Sequence, residues 1–114
     1  MSTLLDNLRR QCGGPRDGAL LRYSLGSALL DAGDAAGAVA AIERALEFDP
    51  GYSAAWKLLG KAHLAAGAPM AAAQAWRRGI AAAAERGDKQ AEKEMTVFLR
   101  RLEKSPAPGD AAQP

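Results

Sequence analysis

Two segments of this 114-residue chain resemble each other at a distance of 34 residues. Residues 22–29, RYSLGSAL, correspond to residues 56–63, WKLLGKAH, and both contain a Leu-Gly pair at the same place. A period of roughly 20 to 50 residues is typical of repeat arrays, in which each unit buries its apolar face against the next one. The spacing therefore predicts a stack of similar units.

Each 34-residue unit has the pattern of two helices separated by tight turns. Ala and Leu are common and aromatic residues make up only 5% of the chain, which favours helix over strand. Apolar residues recur at spacings of three and four, and Gly33, Gly67 and Gly87 mark helix ends. We expect Asp34 and Ser53 to cap the helices that follow them. The predicted helices cover residues 4–11, 17–32, 35–48, 53–66, 69–85 and 88–103.

The repeat resembles the tetratricopeptide repeat (TPR) family, whose pattern is W-x2-L-G-x2-Y, then A-x3-F, then P. The second unit matches this pattern at Trp56, Leu59, Gly60, Ala72 and the aromatic Trp76. The first unit matches it at Leu25, Gly26, Ala38, Ala45 and Pro50. The chain departs from the pattern with Arg22 in the Trp place, His63 in the Tyr place and Ala84 in the Pro place. Because Ala84 does not stop a helix, we expect the fifth helix to run on.

The resemblance implies an all-α fold, a right-handed α-solenoid of antiparallel helix pairs. Residues 1–18 would form a short helix and a Gly/Pro turn ahead of the TPR domain, which covers 19–103. That domain would contain repeat one (19–52), repeat two (53–86) and a capping helix (88–103) with the polar outer face that repeat stacks need. Residues 104–114 contain three prolines and no large apolar residue, and we predict that they are disordered.

The resemblance also implies that the first helices of successive units line a concave groove that binds extended peptides. When the units are aligned at Ala19, Ser53 and Asp88, the groove contains Tyr23, Ser27, Lys57, Lys61, Lys89 and Lys93. Four lysines in one concavity would attract an acidic segment or a C-terminal carboxylate. The alternative is that these lysines form a solvated face that keeps the protein soluble. The leading hypothesis is a non-catalytic protein-interaction module that binds an extended or acidic segment of a partner.

The charges of the two repeats are opposite in sign. Residues 19–52 carry two basic and five acidic side chains, whereas residues 53–86 carry five basic and one acidic side chain. A second hypothesis follows, in which acidic repeat one of one copy binds basic repeat two of another. Such a homo-oligomer would also complete a stack that has fewer than the three repeats usually needed for stability.

Several other classes of function are not expected. His63 and Cys12 are the only histidine and cysteine, so the chain offers no familiar catalytic group or metal site, and we predict no cofactor. The net charge of +2 and the lack of aromatic residues interleaved with basic ones argue against a nucleic-acid partner. No run approaches the roughly 18 apolar residues of a membrane span, and the N-terminus lacks a signal peptide. We expect a cytoplasmic protein, and the use of Ala, Gly and Arg suggests a bacterial source.

Overall fold

The computed structural model describes residues 3–104, which form six α-helices and, within that range, no β-strand. The helices are α1 (Thr3–Gln11), α2 (Ala19–Asp31), α3 (Ala35–Phe48), α4 (Ser53–Ala65), α5 (Pro69–Arg86) and α6 (Lys89–Lys104). The predicted all-α fold and six helices are confirmed. The tail predicted to be disordered lies outside the described residues, except that Lys104 belongs to α6.

The helices form an array in which each one packs against its neighbours in sequence. The two main pairs are α2 with α3 and α4 with α5, and contacts between α3 and α4 join these pairs. At the ends of the array, α1 packs on α2 and α6 packs on α5. Short turns make neighbouring helices antiparallel, so the array is an α-solenoid of helix pairs.

Glycines end the helices where the sequence predicts. Gly33, Gly67 and Gly87 have φ of 86°, 79° and 79°, a left-handed conformation that glycine adopts without a steric cost. The Asp34 carboxylate accepts a hydrogen bond of 2.8 Å from the Gly37 amide, as a helix cap should. Without a proline to stop it, α5 has 18 residues, whereas α3 has 14.

The prediction that Ser53 caps α4 is wrong. The residue ahead of α4 is Tyr52, and its side chain makes no capping hydrogen bond. The Ser53 hydroxyl instead donates to an Asp88 carboxylate oxygen at 2.7 Å, and the other Asp88 oxygen accepts from the Ala91 amide at 3.1 Å. These two bonds hold the pKa of Asp88 below its usual range, with the Ser53 bond as the larger cause. Asp88 thus caps α6 and ties its start to the start of α4.

Helix α2 begins at Ala19 rather than at residue 17, because Asp17 organises the preceding turn. Its carboxylate accepts hydrogen bonds from the Gly13 amide and from the Arg22 guanidinium, each at 2.8 Å. The Arg22 bonds and the Gly13 bond hold the pKa of Asp17 far below its ordinary value. Arg22 occupies the position that is Trp in the family pattern. Instead of packing in the core, it binds Asp17 and fixes the turn between α1 and α2.

The apolar residues form two clusters that meet at Trp56. The first cluster joins α1 to α4. It contains Leu8 of α1, Ile42 and the small buried residues of α3. The second lies between α5 and α6 around Trp76 and Met95. The Trp56 ring packs against both clusters, so the core continues from one helix pair into the next. No helix within residues 3–104 is long and apolar enough to cross a membrane.

Candidate functional site

The first helices α2, α4 and α6 share one side of the array, because α4 contacts both α2 and α6. We call this side the first-helix face and define it by Tyr23, Ser27, Lys57 and Lys61. At its α2 end the ring of Tyr23 lies 5.2 Å from the ring of Tyr52, and both side chains are half-buried. Burial is the main cause that raises the pKa of Tyr52 above its usual value. Ser27 is also half-buried on this face.

Lys57 does not present a free charge on the first-helix face. Its ammonium group lies 2.7 Å from a carboxylate oxygen of Glu94 in α6, and the side chains are 26% and 40% exposed, respectively. An ion pair at this exposure contributes at most about 1 kcal/mol, but it fixes the position of α6 relative to α4. The repeat pattern predicts that Lys57 lies in the groove but does not identify its acidic partner.

Lys61 is the exposed cation of this face. Its ammonium group lies 5.1 Å from the centre of the Phe98 ring, in a cation–π geometry. Among residues 3–104, no acidic side chain forms an ion pair or a hydrogen bond with Lys61. Its charge is therefore available to a ligand.

Lys89 and Lys93 share a surface that includes neither Lys57 nor Lys61. They line a shallow surface on which every lining residue belongs to α6: Lys89, Glu92, Lys93, Thr96, Val97 and Arg100. At about 100° per residue, Lys89 and Lys93 point some 100° to 140° away from Glu94, which is the α6 residue that faces Lys57. We call this surface the α6 end face.

The position of the end face follows from the register of α6. Helix α4 begins 34 residues after α2, but α6 begins 36 residues after α4, so the alignment of the cap at Asp88 is off by one residue. Burial agrees, since Ala91 and Met95 are buried like Ala55 and Leu59, the residues 36 positions earlier. Glu92 and Thr96 then occupy the places of Trp56 and Gly60, which face the second helix of their own repeat. Because α6 has no such partner helix among the described residues, its end face is open.

An apolar hollow at the carboxyl ends of α4 and α6 was not predicted from the sequence. It has a volume of ≈ 370 Å³ and is lined by Leu64, Trp76, Phe98, Arg101 and Leu102. We call it the α4–α6 hollow. The repeat carries a signal for it, because Leu64 and Leu30 are equivalent apolar residues 34 positions apart, at the ends of the first helices. Phe98 has the spacing of a core residue of α6, so its sequence position alone does not mark it as a pocket wall.

The side chains with catalytic potential stand alone. The Cys12 thiol donates a weak hydrogen bond of 3.5 Å to the Leu8 carbonyl, which is an ordinary contact within a helical turn. His63 is half-buried near the end of α4. Within residues 3–104, no three His, Cys, Asp or Glu side chains are grouped closely enough to hold a metal ion.

Comparisons with known proteins agree with this architecture. A family model described as tetratricopeptide repeat matches residues 19–62. A TPR repeat-containing protein of Pseudomonas aeruginosa is 54% identical over 102 residues, which are 90% of this chain and 97% of that protein. The solution structure of a protein from Bordetella parapertussis is 41% identical with a TM-score of 0.79, and the match covers 91% of this chain and 90% of that one.

A more distant structure shares the fold alone. The crystal structure of MamA matches with a TM-score of 0.64 at 20% identity, over 86% of this chain and 64% of that chain. The two relatives with higher identity come from bacteria, which supports the bacterial origin suggested by the composition. With a long match at 54% identity and a repeat that folds into paired helices, the chain belongs to the tetratricopeptide repeat family.

Proposed function

We propose that this protein is a non-catalytic interaction module that binds an extended, acidic segment of a partner protein on its first-helix face. Tetratricopeptide repeats generally mediate protein–protein interaction and typically act as scaffolds without catalytic activity. The observation that carries the finer proposal is the exposed cation Lys61, which has no acidic partner among the described residues. A carboxylate of the ligand would supply that partner and form a charge-assisted hydrogen bond.

The distribution of groups along the face supports one orientation of the ligand. The α2 end offers Tyr23 and the exposed Leu20, which suit apolar contact, and also the acidic Asp31. The α4 and α6 end offers Lys61. We therefore place the acidic part of the ligand over α4 and α6, and its less charged part over Tyr23 and Ser27. Lys93, which takes the place of Lys57 in the true register of α6, would attract the same ligand where the two faces meet, and Lys89 would do so only on the α6 end face.

A random linear peptide library displayed on phage tests this function. The peptides that the protein selects are expected to be net acidic, and their Kd should rise with ionic strength because salt screens the exposed Lys61. Lys61→Glu should weaken the selected peptide by about tenfold or more, since it replaces attraction with repulsion. Arg9→Glu, an exposed charge reversal on α1, is the matched control and should change the Kd less than about twofold. Selection of neutral or basic peptides, or tighter binding at high salt, would contradict the proposal.

A second candidate function is self-association through the α6 end face. Three of the five basic side chains of repeat two already form intramolecular ion pairs, which are Lys57–Glu94, Arg77–Glu103 and Arg86–Asp49. Only Lys61 and Arg78 of repeat two are left without an ion pair, whereas α6 adds Lys89, Lys93 and Arg100 on the end face, none of which pairs with an acid among residues 3–104. Glu43 of repeat one is exposed without an ion-pair partner in the same range and is complementary to them in charge.

Two charge-reversal variants, measured separately and then mixed, test self-association directly. If the contact forms, wild-type protein at low salt should sediment as a dimer or larger species, and both Lys89→Glu/Lys93→Glu and Glu43→Lys should sediment as monomers. Mixing the two variants should restore a complex, because the reversed charges are complementary to each other. A wild-type protein that remains monomeric at high concentration and low salt would exclude this function.

A further inference from the structure

We propose that the α4–α6 hollow is a specificity pocket, which receives one bulky apolar side chain of the acidic segment that the first-helix face binds. This inference rests on the proposed function and names the feature of the ligand that the protein selects. The occupant is a segment of a partner protein in which a Leu, Ile, Met or Phe side chain is flanked by carboxylates.

The walls of the hollow are apolar and accessible from outside. Leu64 is 41% exposed, which is high for a leucine next to a buried tryptophan, and Phe98 and Leu102 are half-buried. The Trp76 ring is only 3% exposed and lies 5.4 Å from the Phe98 ring, so it forms part of a packed floor. Its Nε1 donates to the Lys57 carbonyl at 3.1 Å, which holds the ring in place. The volume of ≈ 370 Å³ is at the small end for ligand pockets and suits a single side chain with its adjoining backbone.

Two cations flank this apolar hollow. Lys61 lies over the Phe98 ring on one side, and the exposed Arg101 belongs to the lining itself. Neither forms an ion pair with an acid among residues 3–104. An apolar pocket with cationic edges is complementary to an apolar side chain between acidic neighbours. Burial of the side chain supplies affinity, and the carboxylates fix the register of the peptide over the pocket. The segment 105–114 of this chain is a poor occupant, since its apolar residues are only Ala and Pro.

Short fluorescein-labelled peptides of the form Asp-Glu-X-Asp-Glu, with X as Ala, Leu or Phe, test the pocket by fluorescence anisotropy. We expect the Leu and Phe peptides to bind at least about tenfold more tightly than the Ala peptide, which is the affinity that burial of one such side chain supplies. Leu64→Gln should reduce this preference to less than about threefold, because it places an amide in the apolar wall. Arg101→Gln should weaken all three peptides by a similar factor.

Arg100 provides the matched control for Arg101. The two residues are adjacent in α6, but Arg100 lies on the α6 end face and Arg101 lines the hollow. Arg100→Gln should leave the Kd of every peptide within about twofold of the wild-type value. Equal losses for Arg100→Gln and Arg101→Gln would overturn the assignment, because general attraction by a basic helix would then explain the binding.

The peptide series separates failure of this inference from failure of the proposed function. If the Ala, Leu and Phe peptides bind with equal Kd, the specificity pocket is excluded while the acidic-peptide function stands. If none of the three binds and the phage library also selects no acidic sequence, the proposed function fails together with the pocket. Circular dichroism of each variant confirms that its helices are intact before binding is compared.

Discussion

Replacing Met95 with Ala is expected to lower the free energy of unfolding by about 3 kcal/mol. The Met95 side chain is fully buried and is one of the two largest side chains with no exposed surface. It packs in the cluster that joins α6 to α5, and its sulfur lies against Gly79. Several neighbours in this cluster, such as Ala72, Ala83 and Ala91, are too small to reach into a cavity. The cavity left by the substitution therefore stays open. The loss of unfolding free energy then exceeds the transfer free energy of the removed atoms alone.

Met70→Ala is the matched control for this prediction. Met70 is 86% exposed in the first turn of α5, so its loss should change the free energy of unfolding by less than about 0.5 kcal/mol. Urea titrations followed by circular dichroism give both values on the same scale. If Met95→Ala costs less than about 1 kcal/mol and also lowers the m-value, the slope of the unfolding free energy against urea concentration, then α6 unfolds independently of the repeats. That outcome would contradict the continuous core that Trp56 and Met95 imply.

Gly60→Ala is expected to destabilise the protein by about 2 kcal/mol, although alanine is the better helix former by about 1 kcal/mol. A methyl group at position 60 would lie 2.1 Å from Nε1 of Trp76, far closer than atoms in contact can approach. The Trp76 ring cannot simply rotate away, because its Nε1 donates to the Lys57 carbonyl and its face contacts Phe98. The methyl group must therefore separate α4 from α5 or displace the ring. Either change disturbs both the second cluster and the floor of the α4–α6 hollow.

Gly18→Ala adds the same methyl group where no atom lies within 4 Å, in an extended backbone that any residue can adopt. We expect no loss of stability from it beyond about 0.5 kcal/mol. Thermal unfolding of the two variants beside the wild type measures the difference, which should exceed about 8 °C in Tm for a domain of this size. A Gly60→Ala protein as stable as Gly18→Ala would show that α4 and α5 are not in close contact at this position.

The sequence was sufficient for the repeats because their period is carried by several residues at once. Gly26 and Gly60, Ala38 and Ala72, and the turn glycines all fix the same register, so one mismatch such as Arg22 does not shift the prediction. The single helix α6 has no second copy to compare. Its stripe of Ala91, Met95 and Phe98 fits two alignments one residue apart, because a buried helix face is broad enough to include both.

The candidate site was predictable only where it depended on the period. Tyr23, Ser27, Lys57 and Lys61 lie on the first helices as expected, but the pairing of Lys57 with Glu94 requires the true register of α6. The same error of one residue placed Lys89 with the groove lysines. The α4–α6 hollow was missed because three helices contribute to it, and an apolar residue such as Phe98 has the same sequence signature whether it lies in a core or at a pocket wall.

The polar end face of α6 also determines how an array of this kind can change its length. Glu92 and Thr96 replace the Trp and Gly that receive a second helix in repeat two, so the stop signal is local to α6. A duplicated 34-residue unit inserted ahead of α6 would stack on its neighbours through the same small residues and would still finish on the same polar surface. Such a duplication would therefore lengthen the array from within and leave the polar end face of α6 unchanged.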